Sequence, residues 1–260
     1  VVKTALVVGV EWISPCMDWH NRNVAVLFGD GCAAVVLQAA EAETGVLAEK
    51  LGCYADARQI LRVRGSGLLY GFAGDITYGD TLWDFDGQEI FKRAVAGMGE
   101  SSVEALRRAG KSPADIDLVV PHQANLRIIE FVAKRAGIPM ERVFVTVHKY
   151  GNMSAATVPV ALVDAIEEGR VKPGALILTP AFGAGLTWCS RRRTSSSRPA
   201  GRPRSRWSMR SARSRTRAGA RRRAWRGRCF PRRAQWRPAD AGSTGQRALL
   251  LWVNYQFREG

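Results

Sequence analysis

Histidine is scarce in this chain, with three in 260 residues. The five cysteines, at 16, 32, 53, 189 and 229, form no C-x-x-C pair. None stands with histidine at zinc-ligand spacing, so no metal centre is expected. No run of 18 apolar residues occurs, so no membrane-spanning helix is expected either. The chain starts at Val1 without a methionine and shows no signal-peptide pattern. A fragment of a longer, cytoplasmic protein with reduced cysteines is the expectation.

Lysine is missing from the last 70 residues, and this asymmetry changes the meaning of the overall charge. The chain carries +16, which taken alone suggests a nucleic-acid binder. Residues 1–190, however, hold 18 Lys and Arg against 21 Asp and Glu. Residues 191–260 hold 21 Arg with only Asp240 and Glu259 as acids. The first segment is slightly acidic and long enough for one domain with a real core. All the excess charge belongs to the second.

What is present in residues 1–190 is an alternation of apolar strands and amphipathic helices. Strands are read at 4–11, as a pair within 25–40 around Gly29-Asp30-Gly31, and at 45–55. Further strands are read at 118–120 and 143–147, and a strand, glycine loop and strand at 174–190. Residues 56–84 read as loop and β-arm. Helices are read at 87–110, with Ile90, Phe91, Ala94, Val95, Met98, Val103 and Leu106 inward, after 125, and at 153–169. Non-alternating apolar strands between helices predict an α/β fold with a mostly parallel sheet covered on both faces.

Ligands in such folds collect at the carboxyl ends of strands. Three polar or glycine-rich segments are expected there: PHQAN (121–125), HKYGN (148–152) and AFGAG (181–185). Taken singly, each has an ordinary structural explanation. A histidine at a strand end is more often a hydrogen-bonded core residue than a catalyst. Asn152 suits a helix N-cap, and Gly-x-Gly suits a tight turn. Their convergence makes them site candidates.

The wording of these segments adds a resemblance. VPHQANLRII, YGNMSAATVPVAL, AFGAGLTW and FGDGCAAVVL, in that register from Val1 to about Ser190, resemble the β-ketoacyl-acyl carrier protein synthase III enzymes of bacterial fatty-acid synthesis. The resemblance implies a thiolase-like layered α/β fold, of which this would be the carboxyl-terminal half. It implies condensation of an acyl thioester with malonyl-acyl carrier protein, with loss of carbon dioxide. The family's Cys–His–Asn site maps its His and Asn onto His122 and Asn152. Its carrier-binding segment maps onto Gln123, Ala124, Asn125, Leu126 and Arg127. Gly87 and Phe91 match positions lining the pantetheine channel, and Ala184 stands where a backbone N–H meets the acyl carbonyl. Lys92, Lys134 and Arg135 are candidates to widen a basic rim beside Arg127. No cofactor is implied, because the substrates arrive as thioesters of coenzyme A or acyl carrier protein. A homodimer is implied for the full-length protein.

The resemblance places the nucleophilic cysteine upstream of Val1, and neither Cys16 nor Cys32 stands where it could replace it. The chain alone is therefore expected to be inactive. The same His and Asn would also serve a secondary-metabolism homologue of the alkylquinolone or polyketide-starter type. From Arg191 onward the Arg-rich, Trp-containing tail has two readings. One is an arm that binds nucleic acid nonspecifically on an otherwise inactive fragment; the other, preferred here, is out-of-frame translation of GC-rich coding DNA.

Overall fold

The computed structural model describes residues 3–39, 45–63 and 83–194, the last four by their backbone alone. Most of the expected loop and β-arm over 56–84, the tail beyond 194 and Cys229 lie outside the described residues.

Strand β1 (Thr4–Glu11) pairs antiparallel with β2 (Gly31–Gln38), in register from Thr4↔Gln38 to Glu11↔Gly31. The larger sheet has four strands in the order β3 (Gly45–Cys53), β8 (Thr187–Thr194), β7 (Leu176–Gly183) and β6 (Leu118–Val119). Short strands β4 (Leu61–Val63) and β5 (Trp83–Phe85) form a separate ribbon. The fold is α/β, as its sequence pattern predicts, but the strand sense is corrected. Only β6 and β7 pair in parallel among the described strands; the other ladders are antiparallel. Continuous apolar runs report burial on two faces, and an antiparallel strand sandwiched between layers shows the same run.

Two expected strands are absent as such. Residues 22–25 form a short helix, α1 (Arg22–Ala25), and Phe28 makes only an isolated parallel bridge to Asn152. Residues 143–147 contribute a single bridge, Val119↔Val143, before turning into helix α4 (Val147–Tyr150). In the other direction, β8 runs four residues past the boundary expected at 190, pairing with both β7 and β3 as far as Thr194.

Helix α2 (Gly87–Arg108) starts where the Asp86 carboxylate accepts the Glu89 N–H at 3.1 Å, and it stops at Gly110, whose φ is +61°. Ile90, Ala94, Met98, Ser101, Ser102, Ala105 and Leu106 form its buried stripe. Val103, expected inward, falls off that stripe and is 50% exposed. α2 lies against β8 through Trp188, which fits because Gly52 of β3 and Gly97 of α2 carry no Cβ; one added at either would overlap the indole.

Helix α3 (Leu126–Arg135) buries Ile128, Ile129, Val132 and Ala133 against α2 and the sheet. Helix α5 (Thr157–Glu167) covers the opposite side, packing Ala161, Leu162 and Ala165 onto Leu118, Val120 and Ile177. The short β6 thus sits between two helical layers, and the chain that leaves its carboxyl end emerges in a protected position. Among the described residues no helix is long and apolar enough to cross a membrane.

Candidate active site

His122 follows β6 by three residues. Its backbone N–H donates to the Pro180 carbonyl of β7 at 2.8 Å, which carries the parallel pairing past the formal end of the strand. The ring is buried, and its Nδ1 is hydrogen-bonded to the Thr157 hydroxyl at the start of α5. Burial pushes the imidazole pKa down to about 4, because no opposite charge compensates the desolvation of the cation. At neutral pH the ring is uncharged.

Asn152 reaches the same place from another layer. Helix α4 ends at Gly151, whose φ of +66° turns the chain back, and the Asn152 N–H donates to the Leu27 carbonyl at 2.8 Å. The Asn152 Oδ1 accepts the Ser154 N–H at 2.9 Å. That bond fixes the side chain's orientation: the oxygen is taken by an N–H, so the Nδ2 amino group is the end left for the cavity. Behind the turn, Tyr150 donates its hydroxyl proton to Asp164 at 2.9 Å, anchoring α4 to α5.

Both side chains line a cavity of about 680 Å³. Its far walls are apolar, built from Phe28, Trp83, Phe85, Ile90, Met98 and Phe182. Ala124 and Asn125 from the first loop and Gly183 and Ala184 from the third complete it. All three candidate segments therefore meet at one cavity. Ala184 is not among the positive-φ residues; Ser154, at +45°, is the non-glycine in that region among those described. Gly87, Phe91 and Arg127 also line the cavity, with the Arg127 guanidinium 5.6 Å from the centre of the Phe91 ring. Lys92 is at the same edge, 3.8 Å from Glu89. Arg135, by contrast, pairs with Glu100 at 3.1 Å and does not line the cavity, and neither does Lys134.

Two of the expected contact residues stand elsewhere. Leu126 is exposed on the outer face of α3 and does not line the cavity. Gln123 is fully buried, and its amide is spent inside the protein. Its Nε2 donates to the carbonyls of Pro121 and Phe144 at 2.8 and 3.1 Å. Its Oε1 accepts the N–H groups of Thr146 and Val147 at 2.7 and 3.1 Å. It ties the loop that carries His122 to the segment that leads to Asn152. Asn125 lines the cavity and also caps α3, accepting the Arg127 N–H at 2.9 Å.

None of Cys16, Cys32, Cys53 and Cys189 lines the cavity. Burial, and secondarily the Asp30 carboxylate, raises the Cys16 pKa, the wrong direction for a nucleophile. Among the described residues no group of three metal-ligating side chains occurs. Sequence reasoning missed Thr157, which lies 35 residues from His122 and reads as one more helix residue, and Trp83, whose buried indole N–H has no partner among the described residues.

Residues 1–55 match the family model described as 3-oxoacyl-acyl-carrier-protein (ACP) synthase III, and residues 106–191 match that family's C-terminal model. Together they take in more than half of the chain. The protein belongs to the β-ketoacyl-acyl carrier protein synthase III family, in the thiolase-like superfamily. It is 50% identical over 186 residues to β-ketoacyl-acyl-carrier-protein synthase III 2 of Vibrio cholerae, a match covering 72% of this chain and 51% of that protein. The synthase III crystal structure from Aquifex aeolicus superposes with a TM-score of 0.66 at 41% identity, over 74% of this chain and 58% of that one. A priming β-ketosynthase of a polyketide pathway superposes at 0.68 with 32% identity, covering 76% and 58%. The chain spans about half the length of the curated relatives it matches.

Proposed function

We propose that this chain is the carboxyl-terminal part of an acyltransferase that condenses an acyl thioester with malonyl-acyl carrier protein, releasing carbon dioxide, to start fatty-acid synthesis. The observation that carries the reading is the meeting of His122 and Asn152, with its amino group left unbound by Ser154, in the lining of one largely apolar cavity. Decarboxylation of a malonyl thioester leaves an enolate. Two neutral N–H donors aimed at its oxygen stabilise the developing charge, and the water-poor surroundings strengthen them. A depressed pKa keeps His122 a neutral donor rather than an acid, which suits an oxygen that must be stabilised and not protonated.

The nucleophile of the acyl-transfer step is a cysteine in the half of the relatives that this chain does not span. Alone, the chain does not transfer acyl groups. Arg127, exposed beside the cavity, meets the phosphate of a carrier's pantetheine arm, and the arm enters past Gly87 and Phe91. Ala184 lends its backbone N–H to the acyl carbonyl. Gln123 is not a carrier contact in this reading; it holds the two catalytic segments in register. The primer is a thioester of coenzyme A or of a carrier protein, no cofactor takes part, and the full-length enzyme is a cytoplasmic dimer. Likeness to the priming polyketide ketosynthase supports a second reading, the same chemistry on a secondary-metabolism primer. The test is to join the chain to the amino-terminal half of a relative and follow carbon dioxide release from malonyl-carrier protein. Release that depends on His122 and Asn152 supports the reading; a folded hybrid without release overturns it.

A further inference from the structure

Two atoms compete for one proton at the base of His122. The Thr157 hydroxyl oxygen is hydrogen-bonded to the His122 Nδ1 and stands 2.9 Å from the Ser154 carbonyl oxygen. A hydroxyl has a single hydrogen, and a carbonyl can only accept. When Thr157 donates to Ser154, its lone pair faces Nδ1, so Nδ1 must carry a hydrogen. Otherwise two lone pairs would oppose each other in a fully buried position. When Thr157 instead donates to Nδ1, the ring's hydrogen must sit on Nε2. The Ser154 carbonyl tolerates either state, because it also accepts the Thr157 backbone N–H. Neither orientation orphans a buried group.

We propose that the Thr157 hydroxyl is a two-position rotor that selects the tautomer of His122. Turned to Ser154, it leaves a bare Nε2 facing the cavity as an acceptor; turned to Nδ1, it leaves an Nε2–H there as a donor. The 2.9 Å separation of the Thr157 and Ser154 oxygens is a hydrogen bond only when the hydroxyl hydrogen lies between them, and this assigns the acceptor form to the unliganded chain. Ser154 is well placed to hold the rotor's second position. Its N–H is bound by the Asn152 Oδ1 at 2.9 Å, and its backbone sits at a φ of +45°, so both cavity-facing side chains are tied to one peptide segment. Thr157 itself has no exposed surface and does not line the cavity, so it acts through His122 as a positioning residue. The catalytic meaning rests on the function proposed above. That chemistry asks His122 to donate to an enolate, so the hydroxyl must turn once the malonyl group is in place. The tautomer assignment itself does not rest on it.

The experiment uses the chain as it is, labelled with 15N at histidine, and long-range 1H–15N correlation spectra at neutral pH. His20 and His148 are exposed and serve as internal references. In the unaltered chain the His122 Nδ1 should resonate as a pyrrole-type and Nε2 as a pyridine-type nitrogen. Thr157→Val removes the hydroxyl, so nothing retains a hydrogen on Nδ1, and the two resonance types should exchange. Thr157→Ser restores a hydroxyl and should restore the original pattern. A pyrrole-type Nε2 in the unaltered chain overturns the proposal, as does a Val variant with unchanged tautomer. Should the Val variant fail to fold, Thr157→Ala is read by the same criterion. No activity is measured, so failure of the proposed function would leave this result standing.

Discussion

The Gln123 Oε1 accepts the backbone N–H of Thr146 at 2.7 Å, across 23 residues of sequence. With its three companion bonds, this contact makes one buried amide the tie between the loop of His122 and the segment leading to Asn152. Gln123→Leu should keep the volume and lose all four bonds, leaving two N–H groups and two carbonyls unpaired. At about 1–3 kcal/mol for a buried polar group left alone, a loss of at least 3 kcal/mol is expected. Urea unfolding of the variant checks it. A loss below 1 kcal/mol would mean that water replaces the amide and that the register is set elsewhere.

Acid should destabilise the protein through His122. Its folded pKa, about 4, lies below the ordinary value of 6.5. The unfolded chain therefore binds a proton that the folded chain refuses. The contribution is fully present above pH 6.5 and is lost as pH falls from there through 4, amounting to about 3 kcal/mol. Denaturation across that window should show a slope that His122→Gln reduces. An unchanged slope would place the acid sensitivity on other groups.

Gly151 turns the chain into Asn152 at a φ of +66°, and a Cβ there would stand 3.2 Å from the Leu27 carbonyl oxygen and 3.3 Å from that of Phe28. With ψ at −163° this is a backbone conformation open essentially to glycine alone, so Gly151→Ala should cost about 1–3 kcal/mol from the backbone, more with the crowding. It should also displace the Asn152 amide signals in an 15N spectrum. Unmoved Asn152 resonances would show that the turn tolerates a methyl group.

Much of this was legible in the residues. The strand-end histidine, the Gly-Asn turn and the glycine loop each have an ordinary structural explanation; they were readable together, because all three break the hydrophobic periodicity at expected strand ends and match the motifs of one family. Their meeting at one cavity follows from layered α/β topology. Strand sense was not legible, since apolar runs such as Leu176–Leu178 look alike in parallel and antiparallel ladders. Gln123 was expected as a carrier contact only through the resemblance, and its burial was not legible because an amide in a polar loop carries no mark of it. Its four partners come from residues up to 24 positions away. Val103 was misplaced because an apolar residue off the buried stripe of α2 is indistinguishable by type from one on it.

Arg127 stands exposed beside the cavity with its guanidinium over Phe91. Arg127→Glu in the rebuilt full-length enzyme should raise the KM for malonyl-carrier protein by roughly fivefold and leave kcat little changed. The effect should shrink with added salt, as an exposed charge contact must. A fall in kcat with unchanged KM would mean that Arg127 supports the geometry of the cavity rather than the docking of the carrier.

The most direct measurement follows two steps separately in that rebuilt enzyme: acylation of the cysteine, and carbon dioxide release from malonyl-carrier protein. His122→Ala and Asn152→Ala should each slow release by about 10²–10³-fold, the cost of removing one donor from a developing oxyanion. Acylation should suffer less in both. The double variant should fall well short of the product of the single effects, because the two donors serve one oxygen. If His122→Ala abolished acylation and left decarboxylation intact, the account would be contradicted, and His122 would be the base of the cysteine instead.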